Sequence, residues 1–407
     1  MRRMNQTVGY VIIALGWLLL ASCAVFTKTS EPIQAPVPFQ ETIQPPVPFQ
    51  EAIAALADDL LNLIKADRTD STPKDTLRVM LIPFTDAATD EVPLISRQIE
   101  ALIIAEGSRK FKEFDITRLT SQNISRANYI ISGAIRMEWY QGKDAGLSQK
   151  YYRVYGAVAR ATDNKTIGES NRWIADRDIN FTPTPIYRDS PLYLTGGRLP
   201  SPGKPLPPHR DENISLETTA ILIEARMAYE KEDYETAESL FRMAAGRKDG
   251  QDMDTYAGLY LANHKLGRLE EAEKAFARLV AISAEKYQSF TVKYLFGVNS
   301  VEFLKDKSLE DRYQTWIRNI GKYFQHTSKC LRIVGHSSRT GPKDYNDKLS
   351  LERAKSVQAI LQKSFPEVFE RSEVVGKGFS ENIVGTGADD DSDALDRRVE
   401  LFVIECK

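Results

Sequence analysis

Residues 335–357 read GHSSRTGPKDYNDKLSLERAKSV, and this stretch decides the fold of the last quarter of the chain. The apolar run LRIVG ends at Gly335, Gly341 lies in a predicted turn, and helical spacing of apolar residues begins at Leu349. Around these elements the sequence predicts a strand KYLFGV, a helix over 309–324, and two later strands, SEVVGKG and RRVELFVIE. Alternating elements of this kind specify a βαβαβ sheet with helices packed on it.

The same region resembles the OmpA-like C-terminal domain, the peptidoglycan-associating module of outer-membrane proteins and lipoproteins. The matching residues follow the family's order and are Gly335, Gly341, Tyr345-Asn346, Leu349-Ser350, Arg353-Ala354, Gly376-x-Gly378 and Arg397-Arg398-Val399-Glu400. The resemblance implies an OmpA-like domain over 286–407 whose ligand is the diaminopimelate of the peptidoglycan stem.

The resemblance also implies a binding site. Its predicted residues are Ser337, Ser338, Arg339, Thr340, Asn346, Leu349, Arg353 and Arg398. Arg353 stands where the family's arginine binds the ligand carboxylate, early in a helix whose N-terminus also favours an anion. Ser338 stands where the family has an aspartate for the ligand ammonium. A hydroxyl contributes no charge, so we expect affinity to fall by about tenfold unless Asp344 supplies a substitute carboxylate.

A degenerate domain is the alternative. In that interpretation the OmpA-like domain has lost wall binding and serves as a protein interface in an assembly or activator lipoprotein, and Arg353 and Arg398 are ordinary surface or sheet-edge cations. Retention of peptidoglycan binding separates the two hypotheses.

The amino terminus predicts the compartment. Arg2 and Arg3 precede a short apolar run, and residues 1–22 read as a signal peptide. The sequence Leu-Ala-Ser-Cys ending at Cys23 resembles the lipobox of bacterial lipoproteins, which implies lipidation of Cys23; an ordinary cleaved signal with a chance cysteine is the alternative. Because Ala24 follows instead of aspartate, we expect an outer-membrane anchor with the chain facing the periplasm.

Two domains and two linkers are predicted between the anchor and residue 286. Residues 23–50 contain a repeat, IQAPVPFQET then IQPPVPFQEA, and are predicted to form an extended spacer. Residues 51–185 predict an α/β domain that resembles the periplasmic lipoprotein domain of curli-secretion, flagellar and penicillin-binding-protein-activator families, which bind protein partners; an unrelated sheet-and-helix domain is the alternative. Residues 186–215 are rich in Pro and Gly and predict a linker.

Residues 216–285 predict helical hairpins. Two segments align at an offset of about 35 residues, close to the tetratricopeptide period. The aligned pairs are Tyr234 with Leu269, Ala237 with Ala272, and Phe241 with Phe276. The segment resembles a two-repeat tetratricopeptide module, although generic helical hairpins share part of the pattern. The fold class is therefore a multidomain α+β protein.

The remaining residues predict a disulfide and no catalysis. Cys330 begins one predicted strand and Cys406 ends another, so antiparallel neighbours would bring the thiols together in an oxidising compartment; two reduced thiols are the alternative. The sequence shows no catalytic constellation, no spacing of metal ligands and no cofactor motif. An envelope hydrolase is therefore the third hypothesis, after peptidoglycan binding and protein binding. With 54 basic and 56 acidic residues, nothing indicates nucleic-acid binding. The expected partners are peptidoglycan, the outer membrane and periplasmic proteins.

Overall fold

The computed structural model describes residues 44–68, 76–87, 89–140, 149–191, 214–292, 294, 296–303, 307–382 and 392–406. The predicted signal peptide, the predicted lipidation site Cys23 and the first copy of the repeat lie outside these residues, as does most of the predicted 186–215 linker. The chain divides into two units, Met1–Ile43 and Gln44–Lys407, and the described residues belong to the second. None of the helices in the described ranges is both long enough and apolar enough to cross a bilayer.

The predicted mixed α+β class is confirmed, beginning with an amino-terminal sheet. Its elements are α1 (Phe49–Asp67), β1 (Leu77–Leu81), β2 (Thr85–Asp86), α2 (Ile95–Lys110), β3 (Phe114–Arg118), β4 (Tyr129–Tyr140), β5 (Gln149–Arg160), β6 (Thr166–Ile174) and α3 (Pro185–Asp189). The strand order is β3-β1-β4-β5-β6, with β2 paired to β4. Strands β1, β3 and β4 are parallel neighbours, whereas β4, β5 and β6 form an antiparallel meander.

The helix α1 forms because its apolar residues recur on one face, and that face is fully buried against the sheet. The folded unit begins before the predicted boundary at residue 51. Val47 forms a parallel bridge with Ile174 on the edge strand β6, and Phe49 packs into the same core. The end of the predicted spacer is therefore part of the sheet domain.

Two helical hairpins follow. They consist of α4 (Leu216–Glu230), α5 (Tyr234–Ala245), α6 (Met253–Lys265) and α7 (Leu269–Tyr287). The side chains of Ser215, Asp233 and Asp252 cap α4, α5 and α6 by accepting backbone N–H groups. Ala220 and Ile223 of α4 pack on the second face of the amino-terminal sheet, so the hairpins and the sheet share an interface.

The carboxy-terminal domain contains a second sheet. Its elements are β7 (Ser289–Val292), α8 (Lys307–Gln325), β8 (Cys330–Gly335), α9 (Lys343–Ser364), α10 (Pro366–Glu370), β9 (Ser372–Gly376) and β10 (Val399–Ile404), and the strand order is β7-β10-β8-β9. The first strand lies earlier than the predicted KYLFGV segment. Helix α9 begins six residues before the predicted Leu349, because its first turn is polar and carries no apolar periodicity.

The pairing of β8 with β10 brings the two cysteines together. The strands are antiparallel, with Cys330 opposite Ile404, two residues before Cys406. The two sulfur atoms are bonded at 2.08 Å, with 5.0 Å between the Cα atoms. The disulfide joins the start of β8 to the end of β10, at the edge of the sheet opposite to Gly335.

One hydrophobic core joins the helical hairpins to the carboxy-terminal domain. The indole Nε1 of Trp316 in α8 donates a hydrogen bond to the Tyr260 hydroxyl in α6 at 2.8 Å, and both side chains are buried. The Phe276 ring of α7 lies 5.2 Å from the Tyr260 ring and 6.4 Å from Trp316. The two regions are thus packed as one body and not joined by a linker.

Candidate functional site

The predicted site residues lie where β8 ends, where β10 begins and in the first half of α9. Most of them are buried in this structure. Ser337, Ser338, Asn346, Leu349, Arg353 and Arg398 are at most 9% exposed, whereas Arg339 and Thr340 are exposed. Asp344, the predicted substitute carboxylate, is also exposed. The site is therefore a buried polar cluster with a short exposed rim.

The glycines of the motif allow α9 to lie against the strand ends. A Cβ on Gly335 would overlap the backbone carbonyl of Ser350, and one on Gly376 would lie 2.7 Å from the Asp347 carbonyl oxygen. Gly378 has a φ of +53°, which favours glycine. The Ser350 hydroxyl accepts the Gly378 N–H at 2.9 Å and donates to the Asp347 carbonyl, so it fastens the helix to the loop after β9.

The turn between β8 and α9 is fixed by Asn346. Its side-chain Nδ2 donates to the carbonyls of Thr340 at 2.8 Å and Pro342 at 3.2 Å. Pro342 directly precedes the helix, and Gly341 has a φ of +93°. The Asn346 side chain therefore shapes the turn that follows Ser338 and Arg339.

Arg353 is fully buried, and its guanidinium donates to three backbone carbonyls. Nε donates to Ser300, Nη1 to His336 and Nη2 to Gly297, each at 3.0 Å. The residue lies in the third turn of α9, because the helix begins at Lys343. The influence of a helix N-terminus falls off within the first turn, so it contributes little at the position of Arg353. The guanidinium instead fastens the loop 297–300 to the end of β8.

Arg398 occupies the start of β10 and forms a different set of contacts. Its Nε donates to Glu400 Oε1 at 2.8 Å, and Nη2 donates to the Glu381 carbonyl at 3.1 Å. The His336 Nε2 atom lies 3.4 Å from the other Glu400 oxygen. Burial would raise the pKa of the Glu400 carboxyl, but the imidazole of His336 and the guanidinium of Arg398 lower it to about 2.

Sequence reasoning missed one part of this cluster. The loop 297–300 is separated from Arg353 by more than fifty residues, and nothing in its sequence indicates that its carbonyls accept from that side chain. Asp393 and Asp396, which precede β10 in an acidic stretch, are also fully buried. Among the described residues, no group of three or more His, Cys, Asp or Glu side chains is arranged to hold a metal ion.

The comparison with known families agrees with this architecture. The model of the OmpA family matches residues 304–394, which include β8, α9 and β9. The carboxy-terminal domain is OmpA-like. The match does not include the amino-terminal sheet or the helical hairpins, and no curated protein matches the chain.

Solved structures similar to the OmpA-like domain include three cell-envelope proteins. The cell wall anchor of the T6SS from Pseudomonas aeruginosa is 25% identical, with 29% of this chain and 80% of that chain covered and a TM-score of 0.24. The peptidoglycan-associated lipoprotein from Burkholderia pseudomallei is 25% identical, with 28% and 89% covered and a TM-score of 0.24. The periplasmic domain of Helicobacter pylori MotB is 18% identical, with 29% and 80% covered and a TM-score of 0.23.

Proposed function

We propose that the protein is a non-enzymatic envelope lipoprotein that binds peptidoglycan through its OmpA-like domain. The observation that carries this proposal is the family match over residues 304–394, together with the motif residues found within it. The proposed ligand is the diaminopimelate of the peptide stem, which presents a carboxylate and an ammonium. The exposed Arg339 and Thr340 form the rim that a stem peptide would meet first.

The anchoring and scaffolding parts of the proposal rest on other segments. Lipidation at Cys23 would hold the chain at the outer membrane, with its folded unit in the periplasm. The tetratricopeptide-like hairpins and the amino-terminal domain would bind periplasmic proteins. A groove of about 730 Å³ between α5, α6 and α7 supports this role; its lining includes Arg242, Tyr256, Asn263 and Lys274.

A second candidate function is supported by the contacts of Arg353. All three guanidinium nitrogens of this residue donate to backbone carbonyls, and Ser338 supplies no charge for an ammonium. Both features suit an OmpA-like domain that binds a protein instead of peptidoglycan. In this alternative the lipoprotein acts in assembly or activation of an envelope complex.

Cosedimentation of the full chain with insoluble peptidoglycan tests both candidates. We would compare wild type with Ser338→Asp, which restores the family's carboxylate, and with Ser328→Asp, which adds the same charge at an exposed position just before β8. A charged hydrogen bond contributes about 1.5–3 kcal/mol against about 1 kcal/mol for a neutral one, so Ser338→Asp should bind roughly tenfold more tightly. Ser328→Asp should behave as wild type.

Each outcome decides between the candidates. Sedimentation of wild type with the wall, strengthened by Ser338→Asp, supports the tether. If only Ser338→Asp sediments, the wild-type domain has lost the ammonium-binding group and the protein-binding candidate is favoured. If neither sediments, peptidoglycan is not the ligand of this domain.

A further inference from the structure

Two large apolar side chains are exposed at the far end of β4 in the amino-terminal sheet. Trp139 is 58% exposed and Met137 is 44% exposed. The earlier part of the same strand is almost entirely buried, whereas its last five residues alternate between half-buried and exposed. The two side chains are two residues apart in a strand, so they lie on the same face of it. Neighbouring exposed apolar side chains of this size indicate a contact surface.

This end of the sheet is a two-stranded ribbon, formed by residues 137–140 of β4 and 149–152 of β5. The two strands pair as far as Tyr140 opposite Gln149, but β6 pairs with β5 only as far as Ile174 opposite Tyr152. The ribbon therefore extends past β6 by three pairs of residues in the part of the chain that the structure describes. None of these six residues belongs to the hydrophobic core of the amino-terminal domain.

Aromatic side chains occupy both faces of the ribbon. On one face, the ammonium of Lys150 lies 5.4 Å from the centre of the Trp139 ring, which is opposite it in the facing strand. On the other face, the rings of Tyr140 and Tyr151 meet edge to face with 5.8 Å between their centres. The guanidinium carbon of Arg177 lies 5.8 Å from the centre of the Tyr151 ring. Each face thus combines aromatic rings with a cation.

The one acid of the ribbon is engaged within the sheet. Glu138 accepts hydrogen bonds from the Tyr155 hydroxyl at 2.8 Å and from Arg136 Nε. Its charge is therefore offset by a neighbouring guanidinium, and the charged groups that lie over the aromatic rings of the ribbon are Lys150 and Arg177. A surface of this kind suits a phase that is apolar inside and anionic at its boundary.

The chain from the proposed anchor reaches the sheet beside the ribbon. Val47 forms a parallel bridge with Ile174, which is opposite Tyr152, which in turn is opposite Met137. This row of paired residues connects the entry point of the chain to the first pair of the ribbon. About 24 residues lead from Cys23 to Val47. A bilayer that holds Cys23 is therefore present at high effective concentration near the ribbon.

We propose that the ribbon docks on the bilayer interface, with Trp139 and Met137 among the lipid headgroups and the upper acyl chains. This inference rests on the proposed lipid anchor at Cys23 and adds a second membrane contact, which orients the amino-terminal sheet on the bilayer. Tryptophan and tyrosine favour this depth because their rings are apolar while their N–H and O–H groups still reach water. Lys150 and Arg177 meet the phosphates of the lipids.

Two features favour a bilayer over a folded protein as the occupant. A protein partner packs on one face of a strand pair, whereas the aromatic side chains of the ribbon lie on both faces, and a lipid interface that surrounds the ribbon contacts both. The edges of the ribbon also set its depth. Backbone N–H and C=O groups at a strand edge need water or another strand, so the ribbon lies in the hydrated headgroup region and does not enter the hydrocarbon core.

The test uses the full chain, isolated from membranes and reconstituted in vesicles of phosphatidylethanolamine and phosphatidylglycerol. Bromine atoms placed on the acyl chains close to the headgroups quench the emission of a tryptophan that touches them. Trp139 is the reporter, because Trp173 and Trp316 are only 7% and 1% exposed and Trp17 belongs to the predicted signal peptide. We expect brominated vesicles to reduce the emission relative to unbrominated ones, and Trp139→Phe to abolish that difference.

Met137→Ser and Met243→Ser form a matched pair of variants. Met243 in α5 is 55% exposed, close to the 44% of Met137, but it lies on the helical hairpins. Both variants should unfold at the wild-type temperature, since neither side chain is buried. Met137→Ser should weaken the docking of the ribbon roughly fivefold, because an apolar side chain leaves the interface, and Trp139 should be quenched less. Met243→Ser should be quenched as wild type is.

The outcomes separate the docking of the ribbon from the lipid anchor, which mass spectrometry of the amino-terminal peptide detects independently. If Cys23 carries lipid and Trp139 is not quenched, the docking is refuted while the anchor stands. If Cys23 carries no lipid but added vesicles quench Trp139, the docking stands while the anchor fails. If Met243→Ser reduces the quenching as much as Met137→Ser does, the contact is not specific to the ribbon and the inference is overturned.

Discussion

Replacement of Arg353 by methionine should destabilise the protein strongly. The side chain is fully buried, its guanidinium carbon lies 5.2 Å from the centre of the Phe296 ring, and its three nitrogens donate to the carbonyls of Gly297, Ser300 and His336. Methionine retains an unbranched stem that can pack on the ring, but it leaves three buried acceptors without their donors. The variant therefore isolates the hydrogen bonds from the packing.

The magnitude follows from the number of bonds lost. A buried acceptor that loses its partner costs about 1–3 kcal/mol. Each carbonyl has a second lone pair and the loop 297–300 can move toward water, so the three losses should not add fully. We expect the free energy of unfolding to fall by roughly 3–5 kcal/mol, comparable with the removal of one partner of a buried ionic pair.

Urea unfolding of the full chain, followed by tryptophan fluorescence, measures this change. Trp316, one of the four tryptophans of the chain, lies in the core shared by the hairpins and the OmpA-like domain, so the emission change includes the relevant transition. Arg339→Met is the matched control: the side chain is exposed on the neighbouring turn, and its loss should change stability by less than about 0.5 kcal/mol.

An unchanged urea midpoint for Arg353→Met would refute the structural role of this arginine. If such a stable variant also failed to bind peptidoglycan, Arg353 would be the residue that binds the ligand carboxylate, as the family resemblance predicts. If stability falls and the remaining folded fraction still binds, Arg398 is the better candidate. Measured together, stability and binding show which of the two arginines has a structural role and which binds the ligand.

Three further predictions concern stability. Because the pKa of Glu400 is lowered to about 2, its ionised form should stabilise the fold above pH 4.5, and this contribution, on the order of 3 kcal/mol, should be lost as the pH falls toward 2; acid titration of Glu400→Gln should lack that loss. Tyr260→Phe leaves the buried Trp316 N–H unpaired and should lower stability by about 1–3 kcal/mol in urea unfolding. Reduction of the bond between Cys330 and Cys406, 76 residues apart, should lower it by roughly 2–4 kcal/mol, as measured with and without dithiothreitol.

Local periodicity predicted the elements that pack by their own apolar residues. Ile53, Leu56, Leu60, Leu61 and Ile64 of α1 recur at helical spacing, and all five are fully buried. Strands β8 and β10 were likewise recognised as apolar runs, and their antiparallel pairing agrees with the arrangement assumed for the cysteines. In these segments the order of neighbouring residues determines which side chains are buried. The sequence alone is therefore enough to predict the element.

The start of α9 was misplaced because its first turn is polar. The residues from Lys343 to Lys348 have no apolar spacing, and the helix there is set by Pro342 before it and by the Asn346 side chain that closes the preceding turn. Pro342 was the available signal, since proline favours the start of a helix. Apolar periodicity alone places the start of this helix at Leu349.

The burial of Arg353 could not be predicted from the motif. Its partners Gly297 and Ser300 are 56 and 53 residues away, and they accept through backbone carbonyls that any residue type provides. The sequence therefore shows which side chains could bind a carboxylate but not which of them the protein has already paired. Only the three-dimensional contacts separate Arg353 from Arg398.

The shared core determines how the OmpA-like domain should be studied. Glu273 of α7 forms ion pairs with Arg318 and Lys322 of α8 at 3.1 and 2.9 Å, beside the buried contact between Trp316 and Tyr260. Excision at residue 286 would expose this face of α8 and leave the indole N–H without its partner. Weak binding by such a fragment would then report damage to the fold, and it would not show that the ligand site is degenerate. The hairpins are part of the body that positions the site, so only the intact chain gives a binding result that can be assigned to the residues of the OmpA-like domain.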